Sequence, residues 1–456
     1  FVALHHEVVN WLQARRQSTV FDDSHLQVMF DQCKALIIGL QKRGAVVGSS
    51  LNTAYLLERL SQTLERLETL MAIFVSNRYL PRRILLLTGC FARAAAERHS
   101  ISRLWKQSSG LIARSVTQNA GDHGEHYITR DKKEYWAMFY SAAGGGVLIA
   151  LMALFKTYLG SIIDDKVWKG LAEGLNYGFG FMVIFMLHFT VATKQPAMTA
   201  ARFAEAVEKT PQGKTVNMKL AQLLVDVFRS QSIAVLGNVL IAMGLAALIA
   251  FGYQYKTGEP LMNADQIAYQ LHSIDPFAGT LWFAAIAGVW LFCSGIISGY
   301  FDNRSNYLNM RMRLTQHPLL KKLISEKTRV KFANYMHENY GSLIGNFCFG
   351  MLLGLTGLVG YLTHLPLDIR HVAFSSANLG YSAVSGQFAY PFFLQCIAFV
   401  LLIGLVNLMV SFSLTLWVAL RSLNTEIDSW WAIWHEVCQI VRKRPLSLFF
   451  PVQLDK

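Results

Sequence analysis

Six uncharged stretches of twenty residues or more punctuate this chain, at 136–155, 174–193, 232–253, 277–300, 341–361 and 391–420. Each contains no Asp, Glu, Lys or Arg and is dominated by apolar side chains. A hydrocarbon core about 30 Å thick is crossed by roughly 20 residues of helix at about 1.5 Å per residue. Lipid offers no partners to backbone amides, so the crossing segments must satisfy them internally, as helices do. The pattern predicts an all-α polytopic membrane protein with about six transmembrane helices in a domain covering 131–420. The last stretch is long enough to tilt or to project beyond the bilayer.

The remaining segments carry a different periodicity. In the first 130 residues, Leu56, Leu57, Leu60, Leu64, Leu67, Leu70, Met71 and Phe74 recur at steps of three and four, the stripe of an amphipathic helix. Weaker versions at 28–40 and 84–116 predict a cytosolic helical bundle over 1–130. Two loops, 194–231 and 301–340, read as helical hairpins broken at Thr210-Pro211-Gln212-Gly213 and at His317-Pro318. Proline lacks the amide donor a continuing helix needs. A C-terminal helix and tail follow over 421–456. The uncharged but Ser- and Gly-rich run at 375–391 is expected to be an external polar loop, with a re-entrant segment as the alternative.

Charge then orients the spans. The chain is 53% hydrophobic and 16% charged with a formal net charge of +13, and a basic balance of that size would suit a nucleic-acid partner. Its placement says otherwise. Nineteen Lys and Arg lie after the second, fourth and sixth stretches, against five (Lys156, Lys166, Lys169, Lys256 and Arg370) in the opposite loops. Positively charged loops stay in the cytoplasm, so both termini are expected to be cytosolic. DNA is not a partner this distribution predicts; membrane lipids and an amphiphilic or anionic ligand are. The oligomeric state is not legible.

After each predicted hairpin the chain enters the apolar zone with similar text: SIAVLGN from Ser232 and YGSLIGN from Tyr340. Asn238 and Asn346 each follow a glycine, and Asn407 lies in the sixth span. Three related helical hairpins packed about a shared centre are expected, the small residues permitting close approach and the amides bonding between helices. Polar groups within spans are costly and therefore candidate sites. His188 is the ionisable side chain placed inside the second span, with no acidic group near a midplane. Lys194 and Gln195 follow that span as Asp302, Asn303 and Arg304 follow the fourth; these nine residues are the candidate polar or headgroup contacts. The six cysteines are widely spaced, and Asp122-His123-Gly124-Glu125-His126 crowds its ligands too closely for a tetrahedral site, so no metal or cofactor is expected. No Walker loop, G-x-S-x-G elbow or H-E-x-x-H helix signals an enzyme class.

The segments GEHYITRDKKEY from Gly124, HFTVATKQPAMTAARF from His188 and SGYFDNRSNY from Ser298 resemble the bacterial Gcr family, transmembrane proteins described as site-specific recombinases. The resemblance runs through most of the chain and is strongest over 122–420. It implies a bacterial inner-membrane protein with a role in DNA recombination. A tyrosine recombinase would need a Tyr nucleophile with two Arg and an H-x-x-R pair, and no H-x-x-R occurs here. A serine recombinase would need a Ser near the start of a soluble fold beside clustered Arg; His99-Ser100-Ile101-Ser102-Arg103 is the nearest approach, within a helical pattern. Read from its residues, the chain is a transport-type or envelope-related membrane protein without visible catalytic chemistry. The alternatives are a recombinase and a membrane enzyme acting on a lipid.

Overall fold

The computed structural model describes residues 1–17, 23–47, 51–75, 80–97, 128–129, 131–191, 199–200, 203–204, 206–207, 214–422, 427 and 429–451. Among them the regular structure is helical throughout. The chain divides into two compact units, Phe1–Ser115 with Asn306–Asn309, and Val116–Ser305 with Met310–Lys456.

The first unit contains α1 (Val2–Arg16), α2 (Asp23–Val47), α3 (Leu51–Val75) and α4 (Leu80–Glu97). Its core joins Leu4, Val8 and Trp11 of α1 to Leu26, Phe30, Cys33 and Ile37 of α2 and to Leu64 and Met71 of α3. The leucine stripe is therefore a packing face, although Leu56 at its start is exposed. Lys34 bonds Glu68 at 2.7 Å across α2 and α3, and that hydrogen bond raises the Lys34 pKa.

The second unit is an all-α membrane domain. It contains α5 (Lys132–Ile162), α6 (Lys166–Met186), α7 (Lys214–Thr257), α8 (Ala264–Ile274), α9 (Thr280–Tyr307), α10 (Met310–Gln316), α11 (Pro318–Leu323), α12 (Glu326–Thr363), α13 (Val372–Ser385), α14 (Tyr390–Ser422) and α15 (Trp430–Lys443). Five of these, α5, α7, α9, α12 and α14, are long and apolar enough to cross a membrane. Their surfaces keep large apolar side chains exposed, among them Leu151, Phe155, Leu248, Phe251, Leu401 and Leu405, as lipid-facing positions require.

The second expected span, 174–193, falls on α6, which is not one of the five. Asp165 accepts hydrogen bonds from the Val167 and Trp168 amides, and this N-cap starts α6 eight residues before position 174. The helix then ends at Met186 rather than near 193, and His188 adopts a left-handed turn at φ 58°. Two further expectations change. The second arm of each predicted hairpin is continuous with the following span, as α7 and α12 show. The break at His317-Pro318 is present, with Pro318 opening α11, but the chain breaks again before α12, which Ser325 caps. The break expected at Pro211 lies outside the described residues, as does the His-rich segment 122–126.

The largest departure is at 375–391. Instead of an external loop, α13 is a helix buried within the bundle, with Val372 to Ala377 and Leu379 to Ser382 all enclosed. A Cβ on Gly380 would fall on the Met243 carbonyl oxygen, so α13 and α7 meet backbone to backbone there. The α6–α12 crossing is as close. Gly170 lies by Leu358 and Gly178 by Phe347, which makes the pair antiparallel, and a Cβ on Gly350 would strike the Tyr177–Gly178 peptide.

Candidate functional site

The chain between α12 and α14 turns back into the bundle. Asn407, near the middle of the uncharged part of α14 and wholly buried, holds it there. The Asn407 amide donates to the Ala284 carbonyl of α9 at 2.7 Å and to the Arg370 carbonyl at 3.0 Å. Its own oxygen accepts from the Val372 amide at 3.1 Å, capping the first turn of α13. At its other end Tyr381, fully buried, donates its hydroxyl to the Ala150 carbonyl of α5 at 3.0 Å.

Around the foot of α13 four charged side chains collect. Arg370 pairs with Asp368 at 2.5 Å, donates from Nε to the Ser273 carbonyl at 2.8 Å, and lies over the Phe283 ring. Lys156 of α5 pairs with Glu173 of α6 at 3.2 Å and lies over the Tyr177 ring. Asp368 and Tyr269 are within electrostatic reach of Lys156. The Glu173 side chain is 14% exposed and that of Arg370 12%. Tyr177 stacks at 4.3 Å on Phe374 of α13, and buried His371 sits among Phe181, Phe349 and Phe374. The partners of Glu173 and Arg370, Lys156 and Asp368, keep 39% and 33% of their side-chain surface, so each pair buries one charge against another that remains accessible. The arrangement offers a charge of either sign to a solute that displaces one partner. Among the described residues no three His, Cys, Asp or Glu gather as a metal ion would need.

Of the nine candidate residues read from sequence, Asn407 reaches this site. His188 is exposed in its turn rather than enclosed in a span, because α6 has ended two residues earlier. The early start of α6 places Glu173 two turns inside that helix. Lys194 and Gln195 lie outside the described residues. Asn238 stitches a second junction: its amide donates to the Ala142 carbonyl at 2.5 Å and the Thr190 carbonyl at 2.9 Å. Ser141 bonds the His188 carbonyl and the Thr190 hydroxyl beside it. Asn346 donates to the Ser342 carbonyl of its own helix. Asp302 accepts from the Gly341 amide and Ser305 donates to the His337 carbonyl, so two side chains of α9 bond the backbone of α12. Half-buried Asn303 is beside it, and exposed Arg304 bonds the Tyr300 hydroxyl.

Lys156 and Arg370 enter the sequence reading only as loop charges, and Glu173, Tyr177, Asp368 and His371 carry no local signal, because charge-free windows place charged residues in loops. The Asp164-Asp165-Lys166 capping signal was the clue that would have moved Glu173 into a helix.

These features define a polytopic α-helical membrane protein with a buried helix and an internal polar site. The chain matches the family model described as "Site-specific recombinase" over residues 1–451, and it belongs to that family. No curated protein and no solved structure matches it.

Proposed function

We propose that the chain is a transport-type protein of a bacterial inner membrane, with both termini cytosolic, in which the charges at the foot of α13 receive a small charged solute. The observation that carries this reading is the Lys156–Glu173 pair set between α5 and α6 beside Arg370–Asp368. Ionisable groups are expensive inside membrane helices and persist where they line a path or a site. A buried helix entered by an irregular segment is the kind of backbone that membrane proteins keep where it serves a cavity. Arg304 and Lys194 are proposed as anionic headgroup contacts at the cytosolic rim, which the distribution of basic residues supports.

The test is electrical. Protein reconstituted in proteoliposomes is challenged with pH jumps and a panel of charged solutes on a solid-supported membrane. A solute- or proton-dependent current that Lys156→Met and Glu173→Gln abolish is the expected result. No current from the unaltered protein, or currents indifferent to both variants, would sink the reading.

The family description favours a second reading, site-specific recombination at the membrane. It requires purified protein to form a covalent adduct with a duplex carrying an inversion site. Such an adduct would replace transport with strand exchange as the primary activity.

A further inference from the structure

The C-terminal segment after α14 is built as a strap. One face of α15 is taken by the protein: Ile433, Val437 and Ile440 join a cluster with Leu220, Leu223 and Leu224 of α7 and with Leu416, Ala419 and Leu420 of α14. The opposite face presents Trp431, Trp434, His435, Cys438 and Arg442, all exposed, with Trp431 at 82%. Basic residues complete the helix end, where Arg442, Lys443 and Arg444 are exposed, and Glu436 is the acidic residue on α15.

Beyond α15 the strap continues through exposed Leu446, Phe449 and Phe450. It is pinned by buried Arg229 of α7. That side chain donates to the Thr129 carbonyl at 2.5 Å and to the Ser447 carbonyl at 3.4 Å and pairs with Asp226 at 3.0 Å. The Phe450 ring meets that of Tyr135, next to exposed Trp136 and Tyr140.

Both ends of the strap therefore sit at one edge of the apolar zone. Ile433 packs where the uncharged run of α14 ends, and Phe450 meets α5 one residue before its own run begins. A surface there with protruding Trp and Phe, bordered by Arg and Lys, matches the boundary layer of a bilayer. Indole and phenyl rings favour the headgroup level, and each basic side chain gains from anionic lipid. We infer that the exposed face of α15 and the following strap lie in the membrane interface and bind anionic phospholipid headgroups, so that this end of the bundle is clamped by lipid charge. The source is the bilayer leaflet at this edge. A second copy of the chain or simple solvent exposure are the other outcomes.

The experiment uses the full chain in nanodiscs of phosphatidylcholine alone or with phosphatidylglycerol. Cys33, Cys90, Cys293, Cys348 and Cys396 are replaced by Ala, and a nitroxide is attached to Cys438. The expected result is a several-fold loss of collisions with a water-soluble nickel quencher when phosphatidylglycerol is present, reversed by the triple substitution R442Q/K443Q/R444Q. A fully aqueous label in both lipids overturns the inference, as does dipolar broadening that reveals a second copy on this face. Should the cysteine-depleted chain not fold, amide exchange of the unaltered chain reads the same contact. Slower exchange over 430–443 in the anionic discs supports it, and equal exchange in both overturns it. None of these readings depends on transport, so this inference and the proposed function fail separately.

Discussion

At two of the places where the membrane domain leaves helical geometry, an asparagine from a neighbouring long helix sews the chain in place. At 187–191 the stitch is Asn238, reinforced by Ser141. At 369–372 it is Asn407. The surroundings differ. The first junction is partly exposed and bonds through backbone and hydroxyl groups, whereas the second buries His371 and Val372 and lies beside two ion pairs. The same device thus serves a structural end in one place and positions charged side chains in the other. An intramembrane amide identifies an irregular backbone; the charges beside it identify a site.

This contrast can be broken most strongly at Asn407. Replacing it with Leu removes three hydrogen bonds and leaves the Val372 amide without its cap, at a cost on the order of 3 kcal/mol or more. The variant is expected to unfold at distinctly lower denaturant and to lose any solute-dependent current. Retention of both would detach Asn407 from the site. Asn238→Leu leaves the buried Ala142 carbonyl and the half-buried Thr190 carbonyl without their side-chain donor, and a loss of about 1–2 kcal/mol is expected. Solute response should persist, because no charged member of the site touches this junction. Its disappearance in a folded variant would erase the distinction. The smallest effect has the opposite sign. His188→Gly relieves a left-handed conformation and should stabilise the protein by about 0.5–1 kcal/mol; equal or lower stability in an unfolding titration would show that the imidazole makes a compensating contact.

The helical class and the long spans were legible because uncharged runs of that length have few alternatives in lipid. Their ends were less so. Helix limits depend on caps such as Asp165 and Ser325, whereas a hydropathy window responds to the average. A charge-free window therefore begins only after Glu173 and runs on past the end of α6 to take in His188. The buried helix α13 was missed for a related reason. Its Ser, Gly and Asn content reads as polar, yet small side chains are what let α13 approach the Met243 backbone, and Ser376 bonds the Ala373 carbonyl within the helix. Of the candidate site, Asn407 alone could be found from its position in a span. Lys156 and Arg370 appeared only as members of a charge tally, since their partners are brought to them by helix pairing and by a chain reversal that no local pattern encodes.

One further consequence belongs to α7. Its 44 residues run without interruption from the segment that contacts α15, past the pinning Arg229, to the crossing with α13. At about 1.5 Å per residue this is a beam of roughly 66 Å. A rigid beam transmits a tilt or a twist from one end to the other without a joint to absorb it. A tilt imposed at the proposed lipid contact is thereby expected to reach α13 at its Gly380 crossing.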